Sequence, residues 1–587
     1  MKVVLTFPPS WIPSQPYLSI PSLTAYLRRA GVDVVQRDLN IETLDLILDY
    51  EKMAPLHKRM TEELRLGVNG EKEQRLKTAL LAIPGLSNQL PLAKVNLKTN
   101  MFFDIDWYLE SLKVIDNWMA YILAGYHPST VTLVDNQMRY SVYSSSDILA
   151  AVADEKENPF HWIFKEHIVP SIIREAPGLV GISITATSQI IPGLTLAHLI
   201  KKEAPDIHIT VGGSFFTKLQ DIIPKVADRL FTLVDSLILF EGEYPLLRLV
   251  EELKGKRNFK EVPNMVYRRL GRTYINEPFY IEDPKELPTP DYDGFPLKRY
   301  LTPKLVLPLQ TSRGCYWRRC AFCNLHLDHL TYRPRPIEMV MEDISTLKKK
   351  YDTSFFFFSD EAVPLPTLKK ISERVIEDEI DIKWTCGVRF ENGLTKELLG
   401  KMSEAGCLKL VFGLESFSQR VLELMGKGIS TTDVRRIVND CLDIGVALHL
   451  YIIIGFPTET EEEVKETFLF VMGDERLLNS NGFSCLPCLF DLQKGTPIME
   501  APSKYGLKEI KAPLVHDMTL GYFYETEKGM SPEQADKVYS FINQKINERV
   551  SPLPYNFSMS DGLLYIAASK GCLDMPAGKA KGMDGLK

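Results

Sequence analysis

Three cysteines stand within nine residues of one another in Thr311-Ser312-Arg313-Gly314-Cys315-Tyr316-Trp317-Arg318-Arg319-Cys320-Ala321-Phe322-Cys323-Asn324. Three thiolates on one loop ask for a metal. Four close cysteines would suit zinc or a fully ligated cluster, whereas Cys315, Cys320 and Cys323 leave one coordination position open, as catalytic metal sites do. Cysteine is scarce here, nine in 587 residues, so chance clustering explains the run poorly. Further along, polar residues follow short apolar runs at Asp360 and Glu361, at Arg389, at Glu415 and in Gly455-Phe456-Pro457-Thr458-Glu459. For Glu459 the plain expectation is a cap on the helix that follows. A second pair, Cys485 and Cys488, has metal or redox spacing, but two thiols need further ligands and buried free thiols are the default. His326 and His329 follow the cysteine loop and could reach a substrate, although a loop histidine is commonly just solvated.

The elements that would position these residues alternate. The run Leu305 to Leu309 reads as a buried strand feeding the cysteine loop, and a helix at about 336–350 follows. Strands at 354–359, 382–388, 408–413, 447–454 and about 483–489 are interleaved with helices at 366–378, 394–404, 417–444 and 459–472. This spacing implies parallel strands with helices outside, a partial (β/α)6 barrel of TIM type over 301–510. Such barrels do chemistry at the carboxyl ends of their strands, where Asp360, Glu361 and Glu415 fall beside the cysteine loop.

The first half has another pattern. Lys2–Phe7, the helix 20–31 and the strand 32–38 open a doubly wound α/β domain, which resumes with strands at 178–184, 207–211 and 237–240. Pro8, Ser183, Thr185, Gly212, Gly213, Gly242 and Glu243 lie just past these strands. Small residues there would let a large flat ligand approach, although Gly-Gly after a strand is equally a plain turn. Neither standard glycine-rich phosphate loop occurs, so nucleotide binding by that route has no support. Residues 41–176 read as a mostly helical insertion within this domain of 1–250, with 251–300 a proline-rich linker and 511–587 a mostly helical C-terminal region ending in a frayed tail.

Composition sets the outer limits. A hydrophobic content of 45% with 25% charge is ordinary for a globular protein, and a net charge of -7 without a basic run gives no nucleic-acid signature. The apolar start is too short for a signal peptide, and no stretch reaches the roughly 18 apolar residues of a membrane span. The expectation is a soluble cytoplasmic protein whose thiols stay reduced for metal.

With these motifs in order, residues 300–500 resemble the radical S-adenosylmethionine (SAM) enzymes. The resemblance implies that Cys315, Cys320 and Cys323 hold a four-iron, four-sulfur (4Fe-4S) cluster whose open iron is chelated by the methionine moiety of SAM. It implies that Phe322 lies against adenine, that Asp360 and Glu361 meet the methionine amino group, that Glu415 in Gly413-Leu414-Glu415-Ser416 approaches ribose or amino acid, and that Gly455 and Phe456 contact adenine through backbone. One departure is the gap between the first two cysteines, four residues where three are common. Loops of this length are similar to those of subfamilies with an N-terminal cobalamin-type domain, and Thr6-Phe7-Pro8-Pro9, Gly181-Ile182-Ser183, Val211-Gly212-Gly213 and Glu241-Gly242-Glu243-Tyr244-Pro245 look like the strand ends of such domains. Pro8, Ser183, Thr185, Gly212, Gly213, Gly242 and Glu243 would then face cobalamin. The Asp-x-His-x-x-Gly signature is absent, so the resemblance implies cobalamin held without a protein histidine on cobalt.

The implied activity is a cobalamin-dependent, anaerobic methyl transfer to an unactivated carbon of a small-molecule, lipid or peptide substrate through a 5'-deoxyadenosyl radical, with flavodoxin or ferredoxin as electron donor. The alternative is a cyclase, ring-rearranging or carbon-carbon coupling enzyme of the same kind that moves no methyl group. Methylthio transfer is disfavoured because the N-terminal half has no second three-cysteine set. A zinc-stabilised binding protein would need neither the open coordination position nor the carboxylates around it.

Overall fold

The computed structural model describes residues 1–550 and 558–573. The glycine-containing tail at 574–587 lies outside the described residues.

The N-terminal sheet is built on five parallel strands: β1 (Lys2–Phe7), β2 (Asp33–Asp38), β3 (Leu179–Ser183), β4 (His208–Gly212) and β5 (Ser236–Ile238), in the order β2-β1-β3-β4-β5. β1 and β3 are nearly all buried, as expected of strands covered on both faces. The order reverses between β1 and β3, and a crevice at that switch point is where open α/β sheets hold ligands. The segment read as a linker first extends this sheet. β6 (Met265–Arg269) and β7 (Arg272–Ile275) form a hairpin that adds two antiparallel strands beyond β5. Its turn, Leu270-Gly271, has both residues at positive φ, a conformation the proline count could not announce.

Between β2 and β3 lies the helical insertion, with helices Leu39–Ile47, Tyr50–Leu66, Glu71–Leu97 and Ile105–Ile122 at its centre. Asp38, Asp49 and Asp104 cap three of these through side-chain acceptors for the first free N–H groups. The insertion returns toward the ligand edge, where Asn136 donates to Ser10 Oγ at 3.1 Å and to the Ser188 carbonyl at 2.6 Å.

The second sheet has six parallel strands in sequential order: β8 (Val306–Leu309), β9 (Phe355–Phe358), β10 (Lys383–Val388), β11 (Cys407–Glu415), β12 (Ala447–Ile454) and β13 (Ser484–Leu489). Helices including Ile337–Tyr351, Leu365–Glu377, Lys396–Glu404, Thr431–Ile444 and Glu461–Met472 cover its outside, which gives the expected partial barrel. One apolar core runs from Phe7 of the first sheet and Leu246 of the helix Glu243–Lys254 into Leu307, Phe356 and Leu450 of the second sheet. Among the described residues past 511, the helices Pro532–Arg549 and Met559–Ser569 are the main regular elements, as expected. Strands Leu507–Lys511 and Gly521–Thr526 precede the helix Pro532–Arg549, and Gly521–Thr526 pairs with Leu492–Gln493. The helix Met559–Ser569 packs at the amino ends of the barrel strands, where Gly562 abuts Lys409 and Ile566 abuts Gly482.

Candidate active site between two sheets

The carboxyl ends of both sheets face one cavity of about 820 Å³, near the upper end of the range for ligand sites. Ser183, Thr185, Gly212 and Gly242 wall it on one side, and Phe322, Cys323 and Glu361 on the other. A small cavity of about 50 Å³ adjoins it, lined by Cys315, Cys320, Cys323 and His326. Among the described residues no three His, Cys, Asp or Glu side chains are close enough to share a single metal ion. A cluster does not ask the thiolates to share one ion, because each takes a different iron. Burial pushes the Cys320 and Cys323 thiols up, so their thiolate forms call for a positive centre beside them. The donor set therefore fits a 4Fe-4S cluster.

The loop is held on all sides. Asp360, at the end of β9, is buried and accepts from Thr311 N at 2.9 Å, Thr311 Oγ1 at 2.9 Å and Ser312 Oγ at 2.6 Å. Its carboxylate is occupied with fixing the start of the cysteine loop, and it does not line the cavity. Glu361 does, exposed into it, with burial by the surrounding walls and the nearby Asp328 pushing its carboxyl up. Ala321 N donates to the Met425 carbonyl at 2.8 Å, and Trp317 Nε1 to that of Gly426 at 2.9 Å.

Glu415 ends β11 at a register shift and has φ +63°, a strained conformation for a residue with a side chain. Lys427 Nζ donates to Glu415 Oε1 at 2.6 Å and lies 5.9 Å from the Phe322 ring centre. Gly413 leaves room for this pair, since a Cβ there would run into both charged ends. Gly455, at φ +83°, donates its N–H to Glu459 Oε2 at 2.9 Å. Glu459 is thus a buried brace for the turn, and the helix Glu461–Met472 is capped by Thr460 with Glu463 instead. Phe456 is buried against Phe490 and Tyr505.

On the facing sheet, Gln189 organises the predicted ligand edge. It donates to the Pro8 carbonyl at 2.7 Å and accepts from Thr185 N at 2.9 Å and Thr185 Oγ1 at 3.0 Å. Ser183 pairs with Ser19 at 3.0 Å. Gly213 has φ +127°, and a Cβ there would strike the Ile184 carbonyl, so backbone geometry alone requires this glycine. Glu243 borders the cavity but is committed to an ion pair with Arg313, two residues before Cys315. Arg313 also lies 3.6 Å from Glu241, which pairs with Arg333. Glu241, Glu243 and Arg333 are buried, and Arg313 is nearly so. Burial opposes the charge on Glu243, but the Arg313 guanidinium outweighs it and holds the carboxyl below its ordinary range. This network joins the end of β5 to the foot of the cysteine loop. Sequence reasoning missed Arg313, Arg333 and Lys427 because their partners lie 70, 92 and 12 residues away.

His329 stands between the two cavities, and burial pushes it down to about 4, a neutral imidazole. Cys485 and Cys488 point to opposite faces of β13: Cys485 is buried in the core, and Cys488 lines the large cavity. They do not form a joint ligand pair. Among the described residues no helix is long and apolar enough to cross a membrane.

A six-stranded parallel barrel carrying a three-cysteine loop at its carboxyl rim defines a radical SAM domain, and residues 309–471 match the Radical SAM superfamily. The chain thus contains a radical SAM domain, with an α/β domain set against the rim of its barrel. An uncharacterised methyltransferase of Pyrococcus horikoshii is 32% identical over 299 residues, which are 50% of this chain and 64% of that protein. The anaerobic magnesium-protoporphyrin IX monomethyl ester cyclase of Rubrivivax gelatinosus is 24% identical over 361 residues, 60% of this chain and 62% of the cyclase. The chain thus spans less than two thirds of the length of either relative. Among solved structures, the radical SAM methyltransferase TsrM of Kitasatospora setae, with cobalamin and a [4Fe-4S] cluster bound, matches at a TM-score of 0.57 and 13% identity, over 97% of this chain and 99% of that one. At that identity the likeness is one of fold.

Proposed function

We propose that this protein is a cobalamin-dependent radical SAM methyltransferase acting on an unactivated carbon. The observation that carries the reading is the single cavity walled by the switch-point edge of a 2-1-3-4-5 sheet on one side and by the cysteine loop on the other. The methyltransferase relative and the cobalamin-containing structural neighbour support it. Bound there, the cluster would supply the electron that splits SAM, and cobalamin would carry the methyl group.

The chain's own residues would do the positioning. Cys315, Cys320 and Cys323 would hold the cluster. Glu361, Glu415, Phe322 and the Gly455-Phe456 turn would hold SAM, with Lys427 fixing the Glu415 carboxylate and Asp360 fixing the loop. Pro8, Ser183, Thr185, Gly212, Gly213 and Gly242 would border cobalamin, and the Glu243–Arg313 pair would set the distance between the two cofactor sides. A reductant of flavodoxin or ferredoxin type would supply electrons.

Anaerobic reconstitution with iron, sulfide, SAM and cobalamin tests this. Cobalamin should co-elute with the protein, and substrate turnover should yield S-adenosylhomocysteine together with 5'-deoxyadenosine. The cyclase relative favours a second reading, radical cyclisation or rearrangement without methyl transfer, in which 5'-deoxyadenosine forms and S-adenosylhomocysteine does not. Loss of cobalamin on gel filtration would sink the methyltransferase reading.

A further inference from the structure

The large cavity does not end at the cofactor walls. It runs into a second cavity of about 450 Å³, and the two share Thr185, Ser214, Lys218, Asp491 and Gln493. Three separate parts of the chain supply rings to this vestibule. Tyr143 comes from the later part of the insertion, Phe215 from the helix after β4, and His516, Tyr522 and Phe523 from the C-terminal region. Tyr143 lies 6.3 Å from the Phe215 ring and 6.0 Å from the His516 ring. Phe523 is 67% exposed, more than packing requires of so large an apolar group.

The charges on these walls are uneven. Both cations facing the large cavity are matched by the protein itself: Lys218 lies 3.2 Å from Asp328, and Arg313 pairs with Glu243 and Glu241. Among the described residues, Glu361 and Asp491 are wall carboxylates that form no ion pair. Glu361 stands beside the cysteine loop, on the side read as the SAM site. Asp491 stands at the junction of the two cavities, exposed, with Gln493 Nε2 at 3.1 Å as its hydrogen-bond donor. Gly521 opposite leaves it open space, since a Cβ there would lie 3.1 Å from Asp491 Oδ1.

An unmatched carboxylate beside aromatic faces attracts an organic cation twice over, by direct charge and by the ring quadrupoles. It disfavours an anion and is indifferent to a neutral ring. We propose that the vestibule is the substrate's binding passage and that Asp491 selects a substrate bearing an ammonium group. The inference deepens the methyltransferase reading and rests on it only in that a substrate must reach the shared cavity.

The test uses three ligands with the same ring and different charge: phenethylamine, 2-phenylethanol and 3-phenylpropionate. Their affinities for the cluster-reconstituted full chain are measured anaerobically by calorimetry and saturation-transfer NMR. Phenethylamine should bind best and 3-phenylpropionate worst. Asp491→Asn should weaken phenethylamine about tenfold and leave 2-phenylethanol unchanged, while Phe523→Ala weakens all three. Iron content and SAM affinity, measured on the same Asp491→Asn sample, should match the unaltered protein and so report an intact site. Undetectable phenethylamine binding, a preference for the anion, or phenethylamine affinity unchanged in Asp491→Asn would each overturn the proposal. Failure of the methyltransferase reading shows separately, as missing cobalamin or S-adenosylhomocysteine with the binding order intact.

Discussion

The Arg389 guanidinium lies 3.9 Å from the centre of the Trp317 ring. Trp317 belongs to the four-residue gap between Cys315 and Cys320, and Arg389 follows the last residue of β10, so the stack fastens the long cysteine loop to the barrel rim. Arg319 flanks the same ring at 5.1 Å, and Gly428, at φ +67°, makes the space that the indole fills. Tyr316 adds a hydrogen bond to Glu391 Oε1 at 2.7 Å. The additional loop residue is therefore packed into the fold.

Trp317→Ala should remove both the stack and the indole hydrogen bond to Gly426. A desolvated cation–π contact of about 2 kcal/mol and a hydrogen bond of about 1 kcal/mol are at stake. Thermal unfolding should register that loss, and iron and sulfide content after reconstitution should fall. Full iron and sulfide content in this variant would show that the loop holds its shape unaided.

The Arg313–Glu243 and Arg333–Glu241 pairs are buried between the two sheets. Arg333→Met strands Glu241 beside a single remaining cation, and breaking a buried pair from one side costs about 3–5 kcal/mol. Combining Arg333→Met with Glu241→Gln should recover a large part of that loss in denaturant unfolding. A double variant less stable than the single one would mean that the pair is not coupled as its geometry implies.

Gly413→Ala should leave stability nearly unchanged, because the atoms its methyl would meet, Glu415 Oε1 and Lys427 Nζ, are the ends of flexible side chains. The displaced pair should weaken SAM binding about tenfold, the scale of one charge-assisted hydrogen bond. Equilibrium dialysis of SAM against the reconstituted variant measures this. Undiminished affinity would remove Glu415 from the SAM site.

Burial pushes Glu459 up to about 8, against the N–H of Gly455. The folded protein therefore keeps a proton that the unfolded chain releases near 4.5. The stability this group contributes is complete below pH 4.5 and is lost as pH rises through 8, by up to about 1.4 kcal/mol per pH unit between those values. Glu459→Gln keeps one acceptor and one donor and cannot ionise, so its stability relative to the unaltered protein should rise between pH 5 and pH 9. A pH-independent difference in denaturant midpoints would show that Glu459 is already ionised.

Much of this protein was legible in the chain itself. Strand and helix runs repeat with short-range periodicity, so the barrel, the doubly wound sheet and the helical insertion could be read from local pattern. The short spacing of Cys315, Cys320 and Cys323 likewise kept three thiols on one loop, where they line a single small cavity. Contacts between distant residues were not legible. Nothing near Asp360 announces that Thr311 and Ser312 would occupy its oxygens, and nothing near Glu243 announces Arg313. The hairpin at 265–275 looked like linker because its pairing partner, β5, lies 27 residues upstream. The aromatic vestibule around Asp491 joins residues 143, 215 and 523, which only tertiary packing brings together. Local sequence determines which elements form, because their hydrogen bonds and apolar faces repeat over a few residues. Which side chain meets which across the cavity is decided by how two sheets close on a common core, an outcome of the whole chain.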